Sequence, residues 1–186
     1  MADDKPLYCE ANVFKGTHSA RDPAWFTSLL VEVTPELIGR TLAALSVSFS
    51  TTEKTVTARF DNYTIMVKTI TYQNEPLKPA VLYIKADIAR VFPEVDLISL
   101  KEFAQRECAR LPMKATANQV VISAGSGESA AQVESERVQS GCKLTLAYEL
   151  PVGAGLAPVQ LQEILSRSIL WTEWVVADMS TRFPTS

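Results

Sequence analysis

Apolar residues recur every three or four positions in three stretches of the chain, which predicts three amphipathic helices. The first is expected over residues 34–45, the second over residues 97–111 and the third over residues 158–182. Thr34 is a residue type that caps helices, and Pro35 suits the first helical position. The third helix is the longest element that the pattern predicts.

Alternating apolar and polar residues predict β-strands between these helices. The predicted strands cover residues 47–50, 55–60, 63–72 and 81–89, a strand centred on 119–122, and residues 142–150. Short turns at residues 52–54 and 61–62 join the first three strands into an antiparallel meander. Strands in a meander, with helices between groups of strands, favour an α+β fold over a doubly wound parallel sheet.

The chain has 186 residues and 47% hydrophobic composition, which suits one domain with a sizeable core. We expect residues 1–32 to be an N-terminal arm and residues 33–186 to be a single domain. Asp22 and Pro23 in the arm precede an apolar cluster that predicts a short helix. That cluster consists of Trp25, Phe26, Leu29 and Leu30.

The last helix carries more apolar surface than one small sheet can cover. Its predicted buried face consists of Leu161, Ile164, Leu165, Ser168, Trp171, Val175 and Met179. Such a helix either lies across the whole sheet or contributes to a subunit interface. The candidate interface residues are Leu170, Trp171, Trp174 and Val175. We therefore expect a homodimer that also binds another protein.

The net charge of −3 comes from 18 basic and 21 acidic residues, and no run of Lys or Arg occurs. Nucleic-acid binding needs a basic face, so nucleic acid is not an expected partner. No stretch is long and apolar enough to predict a transmembrane helix. The N-terminus is acidic and lacks the apolar core of a signal peptide, which leads us to expect a cytoplasmic protein.

Few residues offer catalytic or metal-binding chemistry. The chain has one histidine, His18, so one chain cannot supply a multi-histidine metal site. The cysteines Cys9, Cys108 and Cys142 are odd in number and widely spaced, which favours reduced thiols in a reducing compartment. Cys108 falls on the apolar stripe of the second helix and is expected to be buried and inert. We expect no catalytic residue, metal or cofactor.

Two glycine-containing segments resemble phosphate loops only superficially. Residues 125–127 lack the Lys-Ser/Thr step of a nucleotide-binding loop and are expected to form a hairpin tip. Residues 152–155 lie between a strand and a helix and are expected to form a structural turn with left-handed backbone. An unannounced carboxylate site around Asp87 and Glu94 remains a third, enzymatic alternative.

The final strand and helix resemble the YbjN-type family of bacterial proteins, which are described as candidate sensory transduction regulators. Residues 146–152, 155–157 and 160–161 and the helix up to Met179 carry the resemblance. Residues 59–63 of the meander and the order of elements fit it over about residues 33–183. The arm, residues 73–79 and the stretch near Gly127 depart from the family.

The resemblance implies a fold similar to that of type III secretion chaperones. In that fold helices pack on one face of a twisted antiparallel sheet, and the domains often form dimers. Such domains bind polypeptides or regulate other proteins, and no catalytic residue carries over. The alternative is a helix-grip domain, in which a curved sheet wraps the long helix around a small-ligand or lipid cavity of roughly 300–1,000 Å³.

Overall fold

A computed structural model describes residues 30–72, 79–122 and 139–184. The predicted short helix near Trp25, His18 and the predicted hairpin tip at residues 125–127 lie outside the described residues. The predicted helices and strands of the rest of the chain fall largely within them.

The described residues form three α-helices: α1 (Pro35–Ala44), α2 (Leu97–Arg106) and α3 (Pro158–Arg182). The predicted bounds of α1 and α3 are confirmed. The predicted second helix is too long, because α2 ends at Arg106 and a separate 3₁₀ turn, Cys108–Arg110, follows before Pro112.

Local signals set both ends of α1. The Thr34 hydroxyl oxygen accepts a hydrogen bond from the Leu37 N–H at 3.3 Å, which caps the helix. At the other end, Ser46 has a φ of 59°, and the Val47 N–H donates to the Leu42 carbonyl at 2.9 Å. Val47 therefore still belongs to the helix terminus, and the first strand starts two residues later than predicted.

All seven strands in the described residues belong to one antiparallel sheet. They are β1 (Phe49–Thr51), β2 (Val56–Arg59), β3 (Tyr63–Ile70), β4 (Val81–Ile88), β5 (Phe92–Pro93), β6 (Lys114–Ile122) and β7 (Gln139–Pro151). The predicted meander of β1, β2 and β3 is confirmed. Strands β4 and β5 lie end to end along one edge of β7, and β6 pairs with the other edge. The α+β fold is thus confirmed.

Two features of the sheet differ from the prediction. Phe92 and Pro93 form β5 against Cys142 and Gly141, where the sequence predicts only a chain break. The strand that the sequence centres on residues 119–122 begins earlier, so that β6 covers nine residues from Lys114 to Ile122. Its first half alternates polar residues with alanine, which is a weak strand signal. Pairing with β7 provides the stabilisation that this local sequence lacks.

The core lies between one face of the sheet and the helices. Strands β2, β3 and β4 alternate buried and more exposed residues, as a sheet covered on one face does. The fully buried large side chains come from the strands and the helices, and include Leu82, Ile84, Leu144, Leu146, Ile38, Leu100, Leu161 and Leu165. The opposite face carries half-buried polar side chains such as Lys85 and Thr145.

Candidate interaction surface

Helix α3 buries a narrow seam against the rest of the chain. The seam consists of Leu161, Leu165, Ser168, Thr172, Val175 and Met179. Its two polar members are satisfied within the helix, since the Ser168 hydroxyl donates to the Ile164 carbonyl and the Thr172 hydroxyl donates to the Ser168 carbonyl, each at 2.8 Å. Small residues therefore form the middle of the seam, where the sequence pattern places Trp171.

The four predicted interface residues occupy different environments. Val175 has no exposed surface and lies in the core of its own chain. Trp171 is half-buried, and its ring meets Tyr148 of β7 edge to face with centroids 6.1 Å apart. Leu170 and Trp174 remain 47% and 46% exposed. The described structure thus leaves two of the four on the outer surface.

Leu170 and Trp174 form one apolar surface on α3, which we call the outer patch. Leu170 lies nine positions after the buried Leu161, or about two and a half helical turns, so it points away from the core. Trp174 follows one turn later on the same side. The ion pair of Glu163 with Arg167 lies one to two turns before the patch. An exposed aromatic with charged neighbours is typical of a protein-binding surface.

A polar groove lies beside α3, between the helix and the β2–β3 turn. The volume of this groove is about 560 Å³, and Arg59, Asp61 and Ala177 help to line it. On its wall the Tyr63 hydroxyl donates to Glu173 at 3.3 Å. Burial, together with the negative charge of Glu173, raises the pKa of Tyr63 well above its ordinary value. Tyr63 is therefore a neutral donor that holds α3 to the sheet.

The space between the sheet and α3 is filled by side chains. Leu82, Ile84, Leu146 and Leu161 meet there with no exposed surface. The clefts that we find among the described residues are open to solvent and include charged residues in their walls. This packing is that of a solid core, so it supplies no support for the helix-grip alternative.

Asp87 and Glu94 do not form a paired carboxylate site. Asp87 lies on the open face of the sheet, where it accepts hydrogen bonds from Lys85 at 2.9 Å and Thr145 at 3.0 Å. Glu94 accepts a hydrogen bond from Gln119 at 2.5 Å and another from Ser140. Because each carboxylate is engaged with separate partners, the two do not converge on one point as an acid–base pair would.

The two described cysteines are free, buried thiols. Burial raises the pKa of Cys108 to about 11, and the negative charges of Asp178 and Glu107 add to the effect. Burial also raises the pKa of Cys142, with further contributions from Asp96 and Glu94. A thiol nucleophile needs a lowered pKa, so both groups are poor nucleophiles.

The part of the chain that the structure describes contains no group of three or more His, Cys, Asp or Glu residues placed to hold a metal ion. The same residues include no helix that is long and apolar enough to cross a membrane.

The predicted turn at residues 152–155 is confirmed as a left-handed turn, with φ of 42° at Gly153 and 121° at Gly155. A Cβ on Gly155 would lie 2.2 Å from the Val31 carbonyl oxygen. That close approach permits two hydrogen bonds between Val31 and Leu156, at 3.0 and 3.1 Å. Gly155 therefore allows the N-terminal segment to join the start of α3.

Three exposed apolar side chains are not anticipated from the sequence. Val95, Ile98 and Val121 are 85%, 73% and 68% exposed, the highest values among large apolar residues that the structure describes. Val121 lies near the end of β6, and Glu94, next to Val95, bonds to Gln119 of the same strand. The sequence gives no sign that these three side chains are exposed. The alternation of small and polar residues after Lys114 indicates only that β6 extends toward that residue.

No protein-family model matches the chain, and no curated protein matches it. In fold, the chain is similar to the crystal structure of YbjN from E. coli, which is described as a candidate transcription regulator. The TM-score is 0.53 at 16% sequence identity, and the match covers 82% of this chain and 96% of YbjN. At this identity the likeness establishes a YbjN-like fold.

Proposed function

We propose that this chain is a non-enzymatic regulatory domain that binds protein through the outer patch of α3 and acts as a homodimer. The observation that carries the proposal is the exposure of Leu170 and Trp174 on the side of α3 opposite its buried seam. Trp is enriched among the residues that dominate protein–protein binding energy, and half of the Trp174 surface is available for burial.

The chemistry of the remaining candidates supports a binding role. The Cys108 thiol has a raised pKa, and the carboxylates of Asp87 and Glu94 are held by separate hydrogen bonds. YbjN, whose fold this chain shares, is described as a candidate transcription regulator. The buried free thiols Cys108 and Cys142 suit a reducing compartment, and we propose the cytoplasm as the site of action.

The partner surface is tested by capture from native cell extract, quantified by mass spectrometry. Trp174→Lys places a charge in the outer patch. We expect this variant to lose the proteins that both the wild type and the control variant capture. Ser166→Lys adds the same charge at another exposed position of α3 and serves as the matched control. Equal capture by the wild type, Trp174→Lys and Ser166→Lys would contradict a role for the patch.

A further inference from the structure

Strand β6 forms an edge of the sheet in the part of the chain that the structure describes. Among the described residues it pairs with β7 alone, so its other edge has no strand partner. It is nine residues long, and its register with β7 runs without a bulge from Lys114 to Ile122. Natural proteins protect edge strands with charges, prolines, bulges or short length. Apart from Lys114 at its start, β6 has none of these features.

The edge at the opposite end of the sheet is different. Strand β1 has only three residues, so it offers little backbone for pairing with another chain. The strongly exposed Val121 lies on β6, and Val95 and Ile98 lie in the segment that Glu94 links to the same strand. An open backbone edge and exposed apolar side chains therefore occur together at β6.

We propose that two copies of this chain pair through β6 in antiparallel orientation, which joins their two sheets into one. The inference deepens the proposed homodimer by naming the place where the copies meet. It leaves the outer patch of α3 free for a different protein.

Geometry defines the register of this pairing. Strands that pair in one sheet place paired residues on the same face, so in a two-fold antiparallel pair a residue pairs with one of the same parity. The two-fold axis must therefore pass through a residue rather than between two. An axis at Asn118 uses all nine residues of β6, and Asn118 then faces Asn118 of the second copy.

The residue pairs in this register are compatible. The exposed Val121 lies opposite the small Ala115, and Thr116 lies opposite Val120, a favourable pair of β-branched residues. The two Lys114 residues lie at opposite ends, separated by about 27 Å along the strands at about 3.4 Å per residue. A parallel pair would instead place Lys114 against Lys114. The charge distribution of β6 thus favours antiparallel self-pairing.

Two variants that introduce opposite charges at position 118, on the two-fold axis, provide the first test. Asn118 is exposed, so Asn118→Lys and Asn118→Asp change the edge without disturbing the core. Each variant alone places like charges opposite each other, and we expect its dimer dissociation constant to rise roughly fivefold or more. An equimolar mixture should recover tight association as a heterodimer. Ser50→Lys, on the other edge, is the matched control and should leave the dissociation constant unchanged.

Sedimentation velocity measures all of these samples, and crosslinking supplies a second measurement on the full chain. In a Cys9→Ser background, Asn118→Cys should give a covalent dimer with a short bis-maleimide, and Ser50→Cys should give none. A dimer that is insensitive to both Asn118 charges and does not crosslink at that position overturns the β6 pairing but retains the proposed homodimer. A monomeric wild type overturns both the β6 pairing and the proposed homodimer. This holds even if another part of the chain or an extended peptide covers β6.

Discussion

Trp171 on α3 meets Tyr148 on β7 edge to face, with ring centroids 6.1 Å apart and ring planes at 81°. Edge-to-face pairs contribute roughly 0.5–1.5 kcal/mol beyond the burial of their surface. Trp174, only three residues later, is 46% exposed. The two tryptophans of α3 thus have different tasks, one within the chain and one on its surface.

Alanine substitutions should separate these tasks. We expect Trp171→Ala to lower the free energy of unfolding by about 2 kcal/mol, because it removes a ring contact and leaves a partial cavity. Trp174→Ala should lower it by less than about 1 kcal/mol, as surface substitutions usually do. Urea denaturation followed by far-UV circular dichroism measures both. Equal losses for the two variants would contradict this division.

The turn before α3 gives a second prediction. Gly155→Ala should destabilise the chain by about 3 kcal/mol, since its φ of 121° disfavours any side chain and the new methyl group would meet the Val31 carbonyl. Gly153 has a φ of 42° with open space around its Cβ position. Gly153→Ala should therefore cost only about 1–2 kcal/mol, the usual penalty of left-handed backbone.

Thermal unfolding of the two glycine variants provides the comparison. The lower midpoint should belong to Gly155→Ala, with loss of amide protection at Val31 and Leu156 in hydrogen exchange. If Gly153→Ala were the more damaging substitution, the proposed role of the Val31 contact would be wrong.

Ser168 gives a third prediction, which concerns how large a side chain the buried seam of α3 can hold. Its hydroxyl bonds within the helix and the residue is almost fully buried. Ser168→Ala should change the free energy of unfolding by at most about 0.5 kcal/mol, because the lost hydrogen bond is local and no large group is removed. Ser168→Leu should destabilise by about 1–3 kcal/mol through overpacking.

Guanidinium denaturation of Ser168→Ala and Ser168→Leu, at the same protein concentration, checks the prediction for the seam. Ser166, exposed on the same helix, is the control position, and Ser166→Leu should leave the midpoint nearly unchanged. A stable Ser168→Leu variant would mean that the seam has room that the structure does not show.

Alkaline pH should weaken the fold through Cys108. Its pKa is raised from 9.0 to about 11 in the folded chain, so the folded state holds the proton more tightly than the unfolded state. This contribution to stability is complete below about pH 9 and is lost as the pH rises through 11. Urea midpoints at intervals between pH 8 and 11 measure the decline.

Cys108→Ala removes this group, and its unfolding free energy should fall less steeply with pH over that window. Tyr63→Phe is the useful comparison, because the pKa of Tyr63 is raised from 10.0 and its contribution to stability declines only above about pH 10, whereas that of Cys108 declines from about pH 9. An unchanged slope in Cys108→Ala would show that other groups cause the alkaline loss.

Elements with strong local signals could be predicted from the sequence. Thr34 and Pro35 define the start of α1, and the long apolar repeat defines α3 over its full length. Strand β5 could not be predicted, because its two residues are strand only through pairing with β7. Here tertiary pairing, rather than local propensity, decides the structure.

The candidate surface was only partly predictable for a related reason. Periodicity identifies the apolar residues of α3 but does not show which of them face the sheet. Val175 lies in the seam together with Ser168 and Thr172, whose hydroxyl groups bond within the helix, and Leu170 lies on the exposed side. A hydroxyl group that bonds within its own helix can be buried without leaving an unsatisfied hydrogen-bonding group.

The position of β7 between β4 and β6 has a kinetic consequence. Thr145 and Asp87, which bond across the β4–β7 pair, are 58 positions apart in the sequence, and Tyr63 and Glu173 are 110 apart. The meander of β1, β2 and β3 needs only short loops, whereas the centre of the sheet must close far larger ones. High contact order slows folding, so refolding of this chain should be limited by the docking of β7 onto an already assembled meander.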